Sequence, residues 1–327
     1  MLCVFTSCER DDVNLGGTAS GAWEKKAVFA GEARSGAVTF MIDGIPYIGT
    51  GYDGANRLSD FWQYDATADT WIRKADFPGV PRSGAVGFSA NGKGYIGTGY
   101  DGTSNLQDFW QYDPATDTWA QIADFAGSAR YGAIAMSLDN RGYVGAGFDG
   151  AYRKDFWQYD EATNTWVQKT ELSGARRVNG FAFVVNNKGY IGGGRNNGIM
   201  EADLMEYDPG TDTWRNLKNL NANDRGGVAG NDFPVPRADA ATFVVNNKAY
   251  VVGGSTGATP NEATAINEVW EFDPANDAWR KLNNFRGGNR EGAIGFAIGE
   301  DGYVALGKTR TTVFSDVWQL TSANSGD

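Results

Sequence analysis

Six arginines, Arg34, Arg82, Arg130, Arg177, Arg237 and Arg290, each stand 13 residues before a tyrosine: Tyr47, Tyr95, Tyr143, Tyr190, Tyr250 and Tyr303. Guanidiniums gathered at one place concentrate positive potential and grip carboxylates or phosphates through paired N–H donors. Six acids recur in step with them, Asp60, Asp108, Asp155, Asp203, Glu268 and Asp316, so internal ion pairing is the structural alternative. Three copies also carry an aromatic followed by a carboxylate, Tyr52-Asp53, Tyr100-Asp101 and Phe148-Asp149, where later copies have Arg195, Ser255 and Lys308. A ring against an apolar sugar face, with an oxygen accepting from hydroxyls, is the chemistry of sugar sites. Asp-Gly is equally a turn dipeptide. The candidate ligand-binding residues are therefore the six arginines with Tyr52, Asp53, Tyr100 and Asp101. Asp101, Asn105 and Asp108 supply hard oxygens suited to calcium, without the spacing of an EF-hand loop.

Other chemistries are removed by composition. The chain has no histidine, which excludes His-based triads and imidazole-held zinc or copper. Both cysteines, Cys3 and Cys8, lie at the extreme N-terminus, leaving the body without a thiol nucleophile or disulfide. No catalytic residue, metal site or cofactor is predicted. A net charge of −11 repels nucleic acid and anionic lipid surfaces. The run Met1-Leu2-Cys3-Val4-Phe5-Thr6-Ser7 ending at Cys8 resembles the end of a bacterial lipoprotein signal. The acids Glu9, Asp11 and Asp12 after it resemble an export signal of the Bacteroidota. That resemblance implies lipidation of Cys8 and a cell-envelope location, on the outer membrane or cell surface, with secretion as the alternative. No later run reaches the ~18 apolar residues of a membrane-spanning helix, so the expected membrane contact is through an N-terminal lipid anchor alone.

The elements that must position these residues follow from repetition. Trp23, Trp71, Trp119, Trp166 and Trp214 recur at intervals of 48, 48, 47 and 48 residues, and Trp279 follows after 65. The second unit has four strand-like stretches, Gly84 to Ser89, Gly94 to Gly99, Asp108 to Asp113 and Thr118 to Ala123, separated by turn sequences such as Asn91-Gly92. Four antiparallel strands in ~48 residues make a propeller blade. The first strand of each unit is rich in small residues, as in Ser35-Gly36-Ala37-Val38, Ser83-Gly84-Ala85-Val86 and Glu291-Gly292-Ala293-Ile294, which suits the crowded axis. The tryptophans of the third and fourth strands suit the widening wedge between blades.

With Gly51, Gly99, Gly147, Gly194, Gly254 and Gly307 ending the second strands, and Tyr64 to Trp71 and Tyr112 to Trp119 at matching distances, the array resembles the kelch repeat over residues 23 to 320. Thr50, Thr98, Ala146 and Leu306 replace the first glycine of the usual pair in four copies. A WD40 propeller is excluded because its Gly-His element needs histidine. The expectation is an all-β, six-bladed kelch-type propeller of four antiparallel strands per blade. The sixth unit stops at Leu320 without its fourth strand, and the segment at Trp23 is predicted to supply it and close the ring. The chain then divides into a signal remnant and tether (1–22), the propeller (23–320) and a C-terminal tail (321–327).

Strand parity puts the second-to-third-strand loops and the inter-blade links on one face. Two insertions land there: Trp214 to Arg237 is 23 residues against 11 for Trp71 to Arg82, adding roughly Asn221 to Val235. Gly254 to Trp270 is 16 against 11 for Gly51 to Trp62, adding residues within Ser255 to Ile266. The predicted function is a non-catalytic binding or interaction module at the cell envelope, recognising a protein or glycan on that face. Kelch relatives include galactose oxidase, whose copper site needs residues this chain lacks, and a six-bladed sialic acid epimerase. A carbohydrate-active enzyme like the latter is thus the alternative.

Overall fold

The structure, a computed structural model, describes residues 22–220, 233–257, 259 and 261–321. Cys8, the predicted tether and most of the Asn221 to Val235 insertion lie outside them. Six four-stranded antiparallel sheets form the blades of one ring. Blades 1 to 5 span 38–74, 86–122, 134–169, 181–216 and 241–281. Blade 6 takes three strands from 294–320 and its outermost strand from Trp23–Lys25, which pairs Trp23 with Leu320 and Lys25 with Trp318. The N-terminal strand therefore closes the ring as expected.

In blade 2 the strands are Val86–Ala90, Lys93–Gly97, Phe109–Asp113 and Thr118–Ile122. The first begins two residues later than the sequence suggests, because Gly84 takes φ 59° and breaks the extended chain. The second ends at Gly97 since Thr98 and Gly99 both have positive φ. Innermost strands alternate buried and half-buried residues, while second strands, covered on both faces, are buried along most of their length.

Six apolar clusters hold the ring together, each between adjacent blades. Val38, Phe40, Tyr47 and Phe61 of blade 1 pack on Ile96 and Tyr112 of blade 2, and the same pattern recurs around the circle. Between blades 6 and 1 the cluster joins Ile294, Phe296 and Tyr303 to Ile48 and Tyr64. Aromatic rings fill the widening wedge, as with Phe61 edge-on to Tyr112 at 4.8 Å and to Trp119 at 5.0 Å.

A polar latch accompanies each of the first junctions. Asp117 accepts from the Tyr112 hydroxyl (2.7 Å) and from the backbone N–H of Ala75 in the preceding blade (3.0 Å). Trp119 donates its indole N–H to the carbonyl of that same Ala75 at 2.9 Å. Asp69 with Trp71 and Asp212 with Trp214 repeat the arrangement on Ala27 and Thr170. At these junctions the periodic tryptophan is thus both wedge filler and donor to the neighbouring blade, a role the Trp279 indole N–H does not take among the described residues.

Candidate functional site at the axial mouth

The arginine series lies inside the blades. All six side chains are at most 1% exposed. Arg34 donates to both oxygens of Asp60 (2.6 and 2.7 Å) and to the Thr50 carbonyl (2.9 Å). Arg82 does the same with Asp108 and Thr98, Arg130 with Asp155 and Ala146, and Arg290 with Asp316 and Leu306. Arg177 and Arg237 each hold one oxygen of Asp203 and Glu268. Burial opposes the charge on Asp60, Asp108 and Asp316, yet the arginine hydrogen bonds and charge hold all three below the ordinary carboxylate range. Tied this way, the guanidiniums staple each inter-blade link to the start of the third strand. They do not line the mouth, and the internal pairing offered by the recurring acids accounts for them in place of an anion site.

Asp53 and Asp101 are also accounted for locally. Each accepts two backbone N–H groups of its own turn, Ala55 and Asn56 for Asp53, Thr103 and Ser104 for Asp101, and those bonds lower both carboxyls. They are turn formers on the rim, as their Asp-Gly context permits. Asp108 belongs to Arg82 and Asn105 donates to the Phe148 carbonyl, so the three oxygens considered for calcium are not gathered. Among the described residues no group of three acidic, His or Cys side chains is placed to hold a metal.

What the arginines do position is backbone. The residue after each Arg pairs with the residue after the second-strand glycine: Ser35 with Tyr52, Ser83 with Tyr100, Tyr131 with Phe148, Val178 with Arg195, Ala238 with Ser255 and Glu291 with Lys308. These six bridges form the wall of a mouth around the axis. At its base a closed circle of backbone hydrogen bonds surrounds the axis. Gly84 donates to Gly36, Gly132 to Gly84, Asn179 to Gly132, Asp239 to Asn179, Gly292 to Asp239 and Gly36 to Gly292, all at 2.8 to 3.1 Å. Every member has φ between 56° and 62°, which explains four glycines with Asn and Asp, the residues that best tolerate that conformation.

The mouth is an open cavity of about 410 Å³ whose lining is uneven. Blades 1 to 3 contribute aromatics. The Tyr100 and Tyr131 rings lie 5.8 Å apart, Tyr131 and Phe148 5.8 Å, and the Arg57 guanidinium sits over both Tyr52 (5.2 Å) and Tyr100 (4.8 Å). Blades 4 to 6 contribute charge. Arg195 donates to Asp239 at 2.6 Å, to the Ser255 hydroxyl, and lies 3.9 Å from Glu291, which is 3.8 Å from Lys308. Burial raises the Asp239 carboxyl above its ordinary value, Arg195 opposes the rise, and the like charge of Glu291 adds to it. The insertion within Ser255 to Ile266 forms a short ribbon, Ser255–Thr256 with Thr264–Ala265, and its Ala263 reaches the mouth.

Of the predicted residues, Tyr52 and Tyr100 line this cavity. Tyr131, Asn179, Asp239 and Glu291 were not predicted. Their signal in the sequence is the one or two positions directly after each repeat arginine, where otherwise small residues give way to large or charged ones.

This geometry defines a six-bladed β-propeller with an axial mouth on the face of the inter-blade links. The Kelch motif model matches residues 81–126 and 236–286. The solved structure of YjhT superposes with a TM-score of 0.75 at 17% sequence identity, covering 91% of this chain and 98% of that one. At that identity the likeness concerns the fold alone. No curated protein matches the chain.

Proposed function

We propose that the protein is a non-catalytic binding module whose ligand, a glycan or a protein segment, seats in the axial mouth. The observation that carries this reading is the opposition of an aromatic arc (Tyr52, Tyr100, Tyr131) to a charged arc (Arg195, Asp239, Glu291, Lys308) across one open cavity. Cavities of this size with apolar walls and a few convergent polar groups are the usual form of ligand sites. The two arcs depart from the repeat where the fold does not require it, since small residues serve the same wall positions at Ser35, Ser83 and Ala238.

A screen of immobilised glycans and of a peptide library against wild type, Tyr100→Ala and a variant altered at Glu161 on the opposite face tests the reading. Binding should fall with Tyr100→Ala and persist with the Glu161 variant; the reverse pattern rejects the mouth. The cell-envelope location rests on the N-terminal pattern ending at Cys8. Metabolic labelling with a fatty acid, lost in Cys8→Ala, is its test.

The alternative, a carbohydrate-active enzyme, is favoured by one observation: two carboxyl groups, Asp239 and Glu291, share the mouth, and Asp239 is pushed toward its protonated form. Both face cations, which suits binding better than proton transfer. Following sugar C–H exchange in heavy water together with glycoside hydrolysis separates the readings, because turnover abolished by Asp239→Asn establishes the enzyme.

A further inference from the structure

Glu291 stands apart from every other acid near the axis. Its backbone is fixed, exchanging N–H to carbonyl bonds of 2.9 Å with Lys308 in both directions. Its side chain is 18% exposed and lines the mouth, and its cation neighbours, Arg195 at 3.9 Å and Lys308 at 3.8 Å, lie beyond hydrogen-bond reach. Asp239, by contrast, takes a 2.6 Å bond from Arg195. Ionised carboxylates have about four acceptor positions, and Glu291 lines the cavity with its side chain partly exposed. No blade needs an acid here, because the equivalent residues are Ser35, Ser83, Tyr131, Val178 and Ala238.

The charges on this side of the mouth balance, with Arg57 lying on the other side over Tyr52 and Tyr100. Two cations, Arg195 and Lys308, alternate with two anions, Asp239 and Glu291, and Ser255 and Asn179 stand among them. A ligand carboxylate reaching for Arg195 meets Asp239 already bonded there and Glu291 beside it. A ligand ammonium reaching for Glu291 meets Lys308. Hydroxyl groups suffer neither conflict, because each donates to a carboxylate and accepts from the adjacent cation. The aromatic arc across the mouth supplies the apolar surface that the C–H face of a pyranose ring needs.

Building on the binding-module reading, we infer that the mouth takes an uncharged saccharide terminus and that Glu291 is the acceptor for its hydroxyls. Acidic sugars are disfavoured by the same carboxylates that recognise the neutral ones. The specificity residue is Glu291, and Tyr131 with Tyr100, which lies under the Arg57 guanidinium at 4.8 Å, forms the aromatic wall facing it.

Calorimetric titration with methyl pyranosides, with the uronic acid of the same ring and with an amino sugar tests this, on wild type, Glu291→Gln and Tyr100→Ala. The expected result is binding of a neutral pyranoside, at least about tenfold weaker binding of its uronate, and loss of about tenfold in affinity with Glu291→Gln. The Glu291→Gln variant should melt close to wild type, since among the described residues the carboxylate takes no hydrogen bond and its cation neighbours stand 3.9 and 3.8 Å away. Equal or tighter uronate binding, affinity unchanged in Glu291→Gln, or no saccharide bound at all would overturn the inference. Should peptides from the screen bind and lose affinity with Tyr100→Ala while no saccharide binds, the saccharide inference falls and the mouth remains the site. Should ligands bind indifferent to Tyr100 and Glu291 alike, both fall.

Discussion

Gly307 donates its backbone N–H to the carbonyl of Arg34 at 2.8 Å, joining the last blade to the first by the bond that Gly51 makes to Arg82 and Gly99 to Arg130. Ring closure thus uses the same contact as every other junction, and the N-terminal strand adds Trp23 against Phe285 with ring centroids 4.7 Å apart. Trp23 is 5% exposed in a cluster with Val304 and Leu320. Trp23→Ala should cost about 3–5 kcal/mol, as large-to-small core changes do. Urea denaturation followed by fluorescence measures it, and a cost below about 1 kcal/mol would mean the strand does not close the ring.

Each arginine staple predicts a second cost. Asp108→Ala leaves Arg82, fully buried, without its carboxylate, and breaking a buried pair from one side typically costs about 3–5 kcal/mol. Replacing both residues by apolar groups of similar volume should recover much of that loss, because the desolvation cost disappears with the charges. Comparing the single and double variants by thermal unfolding checks the account. Equal losses in both would show the arginine acting through packing alone.

Much of this architecture was readable from periodic residues. Arg82, Tyr95 and Trp119 recur in every unit because each makes a contact that the blades share, so their spacing carries the blade count and the closure. The mouth was less legible for the opposite reason. Arg195, Asp239 and Glu291 come from three different blades, and only the circular arrangement brings them together. The arginines left two readings open, ligand contact and pairing, since a sequence shows that a cation recurs, not which way it points. Their acid partners, 25 to 31 residues downstream, were the better guide.

Acid should unfold the protein through the same staples. The Asp60, Asp108 and Asp316 carboxyls lie below their ordinary value of 3.8 in the folded state. A lowered folded value contributes stability that is complete above the unfolded pKa and is lost as pH falls through the folded one. The melting temperature should therefore hold down to about pH 4–5 and drop steeply below. In a variant with the Arg82 and Asp108 pair replaced by apolar residues, the drop should be shallower. An unchanged slope would place the acid sensitivity elsewhere.

Thr98 predicts a gain. It is buried at φ 56°, a conformation costly for a β-branched residue, and its hydroxyl has no hydrogen-bond partner. Gly193 and Gly253 occupy the same position in blades 4 and 5 at φ 62° and 63°. Removing the strain and the unpaired hydroxyl should outweigh the lost methyl contact and the added chain entropy, so Thr98→Gly is expected to stabilise by about 0.5–1 kcal/mol. Differential scanning calorimetry decides, and a loss of about 1 kcal/mol or more would show that packing of the methyl dominates.

The ribbon of blade 5 separates stability from binding. Ser255 holds Arg195 by its hydroxyl, while Ala263 lies at the mouth and the ribbon's far end carries the extra length. Deleting residues between Thr256 and Thr264 down to the loop length of blade 1 keeps Ser255 and removes Ala263. Closure entropy changes slowly with loop length, by about 0.6 kcal/mol per doubling, so thermal stability should stay nearly constant. Ligand affinity should fall, because one side of the mouth loses its wall while the aromatic arc opposite remains. Side-by-side melting and titration of the shortened protein test this. Full affinity in the shortened form would remove the ribbon from the site and confine recognition to Arg195, Asp239, Glu291 and the tyrosines.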